Sequence, residues 1–331
     1  MPNSMLLCQP WRQSSAVSQL SGGMSACRFP RRWQEGEFRH RGYPLVIANP
    51  TDPPVASELA NRSTTRQGFE DYLQKIGVAR LDPATCPFDP GVAPVVLESH
   101  LLQSAHLMMA LKISMACWMI ADPAATRRKI QAARAAGVPA LAGGGPYEVA
   151  VAQGQLSPYL ALCAEVGFDA IECGSGFTDP GVTPAEITRE AAEHGLAVTF
   201  ELGKKHGGEF DQNVVSELID EGRSWLEAGA RHLIVEARES AAEIGLFDAS
   251  GQLSGPLAEQ LVSAFGLEQL VFEAPTKSSQ FALLDHFGPD VQLANVRLDE
   301  LLRVEIYRRG LHSDAFANPA LRPTLPSVAS D

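Results

Sequence analysis

Several features that would place a protein in a specialised class are missing from this sequence. No apolar run reaches the length of about 18 residues that a transmembrane helix requires, and Lys112 interrupts the longest run. The six cysteines have no CxxC spacing, and no secretory signal accompanies them. Because zinc sites and disulfide frameworks show such features, we expect free thiols in a cytoplasmic protein that does not bind a membrane.

Positive charge is also scarce. The 331 residues include 27 Lys and Arg against 39 Asp and Glu, which gives a formal net charge of -12. Because surfaces that bind nucleic acids are basic, this balance argues against a nucleic-acid partner. The eight histidines show no metal-ligand spacing. Gly143-Gly144-Gly145 is not followed by the Gly-Lys-Ser/Thr of a P-loop, so it predicts either a backbone-amide anion site or a plain turn.

The chain contains a repeated βα pattern between two irregular ends. Residues 1–70 have frequent Ser, Gln, Arg, Gly and Pro and poor apolar periodicity, which predicts a disordered extension. An Arg-rich transit peptide is the alternative for this region. Residues 71–318 are the predicted catalytic domain, and residues 319–331, with three prolines, are a predicted loose tail.

Eight short apolar segments in the central region are typical of buried strands. Five of them follow a glycine of the kind that ends a helix, at Gly137, Gly167, Gly195, Gly229 and Gly266, and these glycines are 28 to 37 residues apart, the length of one βα unit. The predicted strands are Val78–Leu81, Leu111–Ser114, Val138–Leu141, Phe168–Glu172, Ala197–Glu201, His232–Glu236, Leu270–Glu273 and Val291–Asn295. Even spacing favours a single (β/α)8 TIM barrel of the α/β class over an open doubly wound sheet.

Charged side chains stand at the ends of most of these strands. Glu172, Glu201, Glu236 and Glu273 each end a predicted strand, and Lys112 lies within the second one. Because the carboxyl ends of all the strands of a barrel meet at one face, we expect these side chains to surround a common site. A mixture of carboxylates and cations suits a small, highly anionic substrate and a divalent metal ion.

Several motifs in this region resemble, in order, those of the phosphosulfolactate synthase family. They are Glu201-Leu202-Gly203-Lys204-Lys205, Glu236-Ala237-Arg238-Glu239-Ser240, Glu273-Ala274-Pro275-Thr276-Lys277-Ser278, Leu293-Ala294-Asn295 and Arg308-Arg309-Gly310-Leu311. The resemblance covers residues 72–316. It implies a Mg²⁺-dependent barrel lyase that adds sulfite to phosphoenolpyruvate and gives (2R)-phospho-3-sulfolactate, an early step towards coenzyme M.

The resemblance also implies roles for particular residues. Attack of sulfite on the methylene carbon leaves an aci-carboxylate, which a metal ion and cations stabilise before a general acid protonates the carbon. Lys204 or Lys205 is the predicted acid, with a pKa lowered by neighbouring cations, and Glu201 and Glu236 rank first as Mg²⁺ ligands. The predicted substrate ligands are Lys112, Arg238, Lys277, Ser278 and Asn295. A homo-oligomer is the expected assembly.

The second predicted strand departs from the family pattern, which typically reads Lys-Phe-Gly-Trp-Gly-Thr. Here the segment reads Lys112-Ile113-Ser114-Met115-Ala116-Cys117-Trp118. The glycines that let a backbone approach an anion closely are absent, and Met115, Cys117 and Trp118 make this side of the pocket less polar. Two alternatives therefore stay open: the same apparatus with another nucleophile or enolpyruvyl substrate, and a non-catalytic, heat-stress-associated relative.

Overall fold

Eight parallel strands form a closed barrel in a computed structural model that describes residues 56–176 and 181–324. Each strand pairs with the next along the chain, and the last pairs with the first. The strands are β1 (Thr85–Asp89), β2 (Leu111–Ile113), β3 (Ala140–Ala142), β4 (Ala170–Gly174), β5 (Ala197–Leu202), β6 (His232–Val235), β7 (Leu270–Glu273) and β8 (Gln292–Arg297). The predicted single (β/α)8 barrel is confirmed.

Helices surround the barrel in the described part of the chain. They are α1 (Ala56–Lys75), α2 (Pro94–Ser104), α3 (Cys117–Ile120), α4 (Pro123–Ala135), α5 (Gly145–Ala152), α6 (Leu156–Val166), α7 (Pro184–Glu193), α8 (Gln212–Glu227), α9 (Gly255–Phe265), α10 (Lys277–Phe287) and α11 (Leu301–Arg308). Local signals fix their starts: the Asp122 carboxylate accepts hydrogen bonds from two backbone amides of α4, and Thr183 and Glu186 form a capping box on α7. None of these helices is long and apolar enough to cross a membrane.

The predicted position of the first strand is wrong. Val78–Leu81 has no regular structure, and the strand lies seven residues later at Thr85–Asp89. This strand contains Pro87, which cannot donate a hydrogen bond to a sheet and is usually excluded from central strands. It is tolerated here because the pairing of β1 with β8 shifts register between Cys86 and Pro87.

The ends of the chain lie partly outside the described residues. Residues 1–55, which make up most of the predicted disordered extension, lie outside the described residues. The expected boundary at residue 70 falls inside α1. Of the predicted tail, residues 319–324 form turns and irregular structure, and the remainder is not described.

Successive side chains of each strand point alternately towards the surrounding helices and into the barrel. In β7, Leu270 and Phe272 pack in the large core between strands and helices, whereas Val271 belongs to a small cluster inside the barrel. The same small cluster contains Leu141 and Ile234. Because side chains alternate along a strand, a residue two positions after a member of this cluster also points inward, now at the carboxyl end of the barrel, which we call the mouth.

Candidate active site

Four glutamates converge at the mouth. Glu273 and Glu236 stand two residues after the inward-facing Val271 and Ile234, so strand alternation directs both side chains inside the barrel. Glu172 lies in β4 and Glu201 in β5, and both line the same cavity as Glu236 and Glu273. All four residues are about 2% exposed, and such burial of carboxylates requires hydrogen bonds or opposite charges.

The positive charge of Lys112 lies between two of these carboxyl groups, Glu172 and Glu273. Its Nζ lies 2.7 Å from Oε2 of Glu172 and 3.6 Å from Oε1 of Glu273, and it donates a hydrogen bond of 3.0 Å to Oδ1 of Asn295. Burial alone would lower the pKa of Lys112, but the surrounding carboxylates outweigh this effect and raise it. The structure thus places a permanent, fixed positive charge deep in the barrel.

Lys205 compensates the other pair. Its Nζ lies 2.8 Å from Oε1 of Glu201 and 3.0 Å from Oε2 of Glu236, whereas the neighbouring Lys204 is exposed and does not line the site. Burial acts to lower the pKa of Lys205, but Glu201 and Glu236 outweigh it and raise the pKa above its usual value. Our expectation of a pKa lowered by neighbouring cations was therefore wrong for Lys205, because its neighbours are carboxylates.

Asn295 reaches the site because of a β-bulge. Ala294 pairs with Cys86 and Val296 with Pro87, so Asn295 is the extra residue between two paired positions, and its φ of 55° is left-handed. Such a bulge turns a side chain away from the face that simple alternation would give it. The Asn295 amide donates to Oε1 of Glu273 and its oxygen accepts from Lys112.

A cavity of about 1190 Å³ opens above these residues. Its charged half, as we call it, consists of Lys112, Glu172, Glu201, Lys205, Glu236, Arg238, Glu273 and Asn295. Six of the nine predicted site residues therefore share one cavity: Lys112, Glu201, Lys205, Glu236, Arg238 and Asn295. The structure does not bring Lys204, Lys277 or Ser278 to it.

Lys277 and Ser278 are held elsewhere by the start of α10. Thr276 caps this helix through a reciprocal pair of hydrogen bonds with Ser279, which places Lys277 and Ser278 in the exposed first turn. The Lys277 ammonium lies 3.5 Å from Oδ2 of Asp314 and 5.0 Å from the centre of the Phe281 ring. Their predicted substrate contacts stay a prediction that this arrangement does not favour.

The buried part of the charged half contains more acidic than basic groups. Four carboxylates and two ammonium groups leave two negative charges when all are ionised. Burial and the charge of Glu236 raise the pKa of Glu201 well above its usual value and that of Glu273 to about 8. Burial acts in the same direction on Glu236, but the Lys205 ammonium and hydrogen bonds from the neighbouring carboxyl groups outweigh it and lower its pKa to about 2.

Four buried carboxyl groups at one mouth suit a divalent cation, whose charge would favour their ionised forms, although the geometry limits how one could be held. Among residues 56–176 and 181–324, no three His, Cys, Asp or Glu side chains are arranged to hold a metal ion together. Mg²⁺ commonly takes only one or two carboxylates and completes its shell with water and substrate phosphate. The oxygens of Glu201 and Glu236 that face each other across Lys205 fit that sparse donor set.

Strained backbone is concentrated around the cavity. In the described residues, five non-glycine residues have positive φ, and three of them, Met115 (51°), Arg238 (54°) and Asn295 (55°), line the cavity. Asn tolerates this region, but Met and Arg adopt it at a cost of about 1–3 kcal/mol. Such conformations cluster at functional sites, which supports a functional role for the whole cavity.

The glycines after β3 serve the protein itself. The Gly143 amide donates to the carbonyl of Ile113, and the Gly144 amide donates to Oε1 of Glu172 over 3.1 Å. A Cβ on Gly143 would lie 3.0 Å from the backbone nitrogen of Met115. Two interpretations of these glycines were open: a plain turn and a backbone-amide site for a substrate anion. The structure favours the turn, which positions Glu172.

The cavity also has a second, uncharged wall, of which the sequence analysis indicated only Met115. Cys117 and Trp118, which were expected on the same side, do not line the cavity. Its apolar half consists of Met115, Met119, Val149, Pro158 and Leu162. These residues come from the loop after β2 and from α3, α5 and α6. In the sequence, only the low polarity of the Met115 segment indicated this wall. Helix residues that face a barrel mouth have no spacing in the sequence that distinguishes them from other helix residues.

Comparisons with known proteins support an enzymatic site. A sequence model of the (2R)-phospho-3-sulfolactate synthase (ComA) family matches residues 79–314. Phosphosulfolactate synthase from Methanocaldococcus jannaschii is 31% identical over 249 residues, which cover 75% of this chain and 96% of that protein. Phosphosulfolactate synthase from Methanothermobacter thermautotrophicus is 26% identical over 247 residues, with 74% and 96% covered.

A solved structure shares the fold. The carboxyl transferase domain of Rhizobium etli pyruvate carboxylase, solved with 3-hydroxypyruvate, matches with a TM-score of 0.50 and 11% identity. The match covers 78% of this chain and 46% of that chain. At this identity the likeness concerns the fold alone.

Proposed function

Because the chain belongs to the phosphosulfolactate synthase family of enzymes, we propose that it adds sulfite to phosphoenolpyruvate to give (2R)-phospho-3-sulfolactate. The observation that carries this proposal is the partly buried ammonium of Lys205, held between Glu201 and Glu236 and facing a cavity with two further cations. A protonated amine beside a site for anions is what carbanion protonation requires.

Two cations would bind the anionic groups of phosphoenolpyruvate. Lys112 is held in place, because Glu172, Glu273 and Asn295 contact its ammonium group. Its position deep in the barrel suits a substrate that enters with its carboxylate end first. Arg238 is exposed at the cavity rim, where a planar guanidinium can bind a phosphate through two parallel hydrogen bonds. Together they would fix the methylene carbon in the space between.

Lys205 would deliver the proton. Sulfite sulfur forms a bond to the methylene carbon, and the electron pair of the C=C bond moves to the carbon that bears the phosphate and carboxylate. Lys205 is protonated at neutral pH, since its carboxylate neighbours raise its pKa, and it donates its proton to that carbon. Mg²⁺ bound at Glu201 and Glu236 would supply additional positive charge beside the developing aci-carboxylate.

The first test is phosphorus NMR of the purified protein with phosphoenolpyruvate, sulfite and Mg²⁺. We expect a new phosphomonoester signal that requires both sulfite and the metal ion. Mass spectrometry of the product should show the mass of phosphoenolpyruvate plus the elements of hydrogen sulfite. Protein that is folded by circular dichroism and binds phosphoenolpyruvate, yet gives no such signal, would contradict the proposal and favour the non-catalytic alternative.

A further inference from the structure

The whole cavity is larger than a site for phosphoenolpyruvate and sulfite needs, and part of its wall is apolar and exposed. Pockets of about 300–1,000 Å³ hold drug-sized ligands, and this cavity measures about 1190 Å³. Phosphoenolpyruvate and sulfite are both smaller than such ligands, and both are strongly charged. Neither has a group that would gain from contact with two methionines, a valine, a proline and a leucine.

Met115 is a costly residue at its position. Its φ of 51° lies in the left-handed region that favours glycine, and its side chain is 54% exposed although it is apolar. Glycine would relieve the strain and remove the exposed surface. A methionine that is strained and exposed on a cavity wall is explained if its flexible thioether side chain contacts a ligand.

The apolar half is continuous with the charged half. Lys112 and Met115 lie three residues apart at the end of β2, and Ser114 and Gly143–Gly145 line the cavity along with them. A ligand that fills the apolar half therefore extends directly into the reacting centre. Val149 on α5 also lines the cavity and is also 54% exposed, so more than one element contributes exposed apolar surface.

From this juxtaposition we infer that the enzyme accepts, as its sulfur nucleophile, an organic sulfinate that bears an apolar group. The inference rests on the proposed addition to phosphoenolpyruvate and specifies the substrate class of the same site. A sulfinate is sulfite with one oxygen replaced by carbon. It therefore keeps the anionic sulfur–oxygen head that suits the charged half and adds a substituent that the apolar half can bury.

The chemistry needs no further reagent. The sulfur lone pair of the sulfinate forms a C–S bond to the methylene carbon of phosphoenolpyruvate, and the electron pair of the C=C bond moves to the neighbouring carbon. Lys205 donates a proton to that carbon, as in the sulfite reaction. The product is a sulfone that retains the phosphate and carboxylate groups, and no atom is oxidised from outside or lost.

A matched pair of sulfinates tests the inference. Benzenesulfinate and methanesulfinate share the reacting head and differ in the apolar group. With phosphoenolpyruvate and Mg²⁺, we expect both to give a phosphomonoester signal by phosphorus NMR. The KM for benzenesulfinate should be at least about tenfold lower, the scale on which apolar pockets distinguish substrates. Calorimetric titration of the metal-free protein with each sulfinate gives a second readout, with the same order of affinity.

Variants locate the contact. Met115→Gly should raise the benzenesulfinate KM about tenfold relative to that of methanesulfinate, in a protein whose Tm is equal or higher because glycine accepts the left-handed backbone. Val149→Gln, on α5, should act in the same direction. Leu102→Gln is the control, since Leu102 is 72% exposed on α2 and does not line the cavity, and it should change neither KM.

The possible results separate the two proposals. If sulfite reacts and neither sulfinate does, or if both sulfinates have equal KM, the sulfinate inference is overturned and the sulfite reaction stands. If none of the three reacts, both proposals fail. If Met115→Gly changes the oligomeric state, seen by light scattering, and leaves the ratio of KM values unchanged, a second copy covers the apolar half and the inference is wrong.

Discussion

Both ends of the barrel bury ionic groups, but the two ends compensate them differently. At the base, the end where the strands begin, Arg308 is 1% exposed. Its guanidinium donates to the carbonyls of Pro289 and Val291, to Oγ1 of Thr85 and to Oε1 of Glu305, over 2.5 to 3.1 Å. At the mouth, four buried carboxyl groups share two ammonium groups, and burial raises the pKa values of Glu201 and Glu273.

The difference indicates a division of labour. A buried cation that is surrounded by hydrogen-bond acceptors links the strands and serves stability, as expected at the base of a barrel. Burial raises the pKa of two carboxyl groups at the mouth, which costs stability at neutral pH, so the cluster is retained for what it binds. The two ends should therefore respond in opposite ways when a charged side chain is removed.

Removal of the Lys205 ammonium should have the largest effect on activity. Lys205→Ala deletes the proposed acid, and loss of a general acid lowers kcat by a factor of about 10² to 10⁴. Lys204→Ala is the matched control, because Lys204 is exposed and does not line the cavity. Its kcat should stay within about twofold. Initial rates measured by phosphorus NMR distinguish the variants, and equal losses would show that Lys205 is not the acid.

Removal of the guanidinium at the base should instead affect stability. Arg308→Leu leaves buried carbonyls and Glu305 without their donor, and breaking a buried pair in this way costs about 3–5 kcal/mol. Arg297→Leu is the control, because its ion pair with Asp299 is about half exposed and contributes at most about 1 kcal/mol. Urea denaturation measures both. At temperatures where Arg308→Leu is folded, an altered KM would contradict the separation of the two ends.

Removal of one acidic group at the mouth should stabilise the protein. Glu201→Gln keeps an oxygen that can accept from Lys205 and replaces a carboxyl group whose pKa is raised by folding. Because the ionised form of Glu201 is disfavoured in the folded state, we expect a gain of about 1 kcal/mol at neutral pH without metal. The substitution should also reduce the rise in Tm that is expected if Mg²⁺ binds at Glu201 and Glu236, as proposed above. Glu165→Gln, in an exposed pair with Arg127, should change neither. A destabilised Glu201→Gln would mean that the charges at the mouth are already compensated.

The repeated βα pattern of the sequence made most of the fold predictable, and the exceptions have physical causes. Strand-length apolar segments locate β2 to β8 within a few residues, and helix-ending glycines precede β3 to β7. The same rule failed at Gly77, where Pro87 disguised the true first strand and a bulge made that proline acceptable. A sequence does not show a bulge, because the bulge depends on how two distant strands pair.

The site was predictable to the extent that strand alternation determines it. Glutamates at strand ends were expected to converge, and Glu201 and Glu236 lie in the same cavity. Beyond the strand ends, the conformation of each loop determines where its side chains point. The sequence could not distinguish Lys204 from Lys205, and only one of these adjacent residues turns inward. The exposed first turn of α10 likewise directs Lys277 away from the cavity, because Thr276 caps the helix.

The smallest expected effect concerns this last residue. Lys277→Ala removes an exposed ion pair with Asp314, which contributes at most about 1 kcal/mol, and a contact with the face of Phe281. We expect kcat and KM for phosphoenolpyruvate to stay within about twofold of the wild-type values. Lys112→Met supplies the contrast, since it removes a buried cation from the charged half and should raise that KM strongly. If Lys277→Ala raises the KM as much as Lys112→Met does, α10 must reach the substrate in the working enzyme. The division between a charged mouth and its solvent-exposed surroundings would then be drawn in the wrong place.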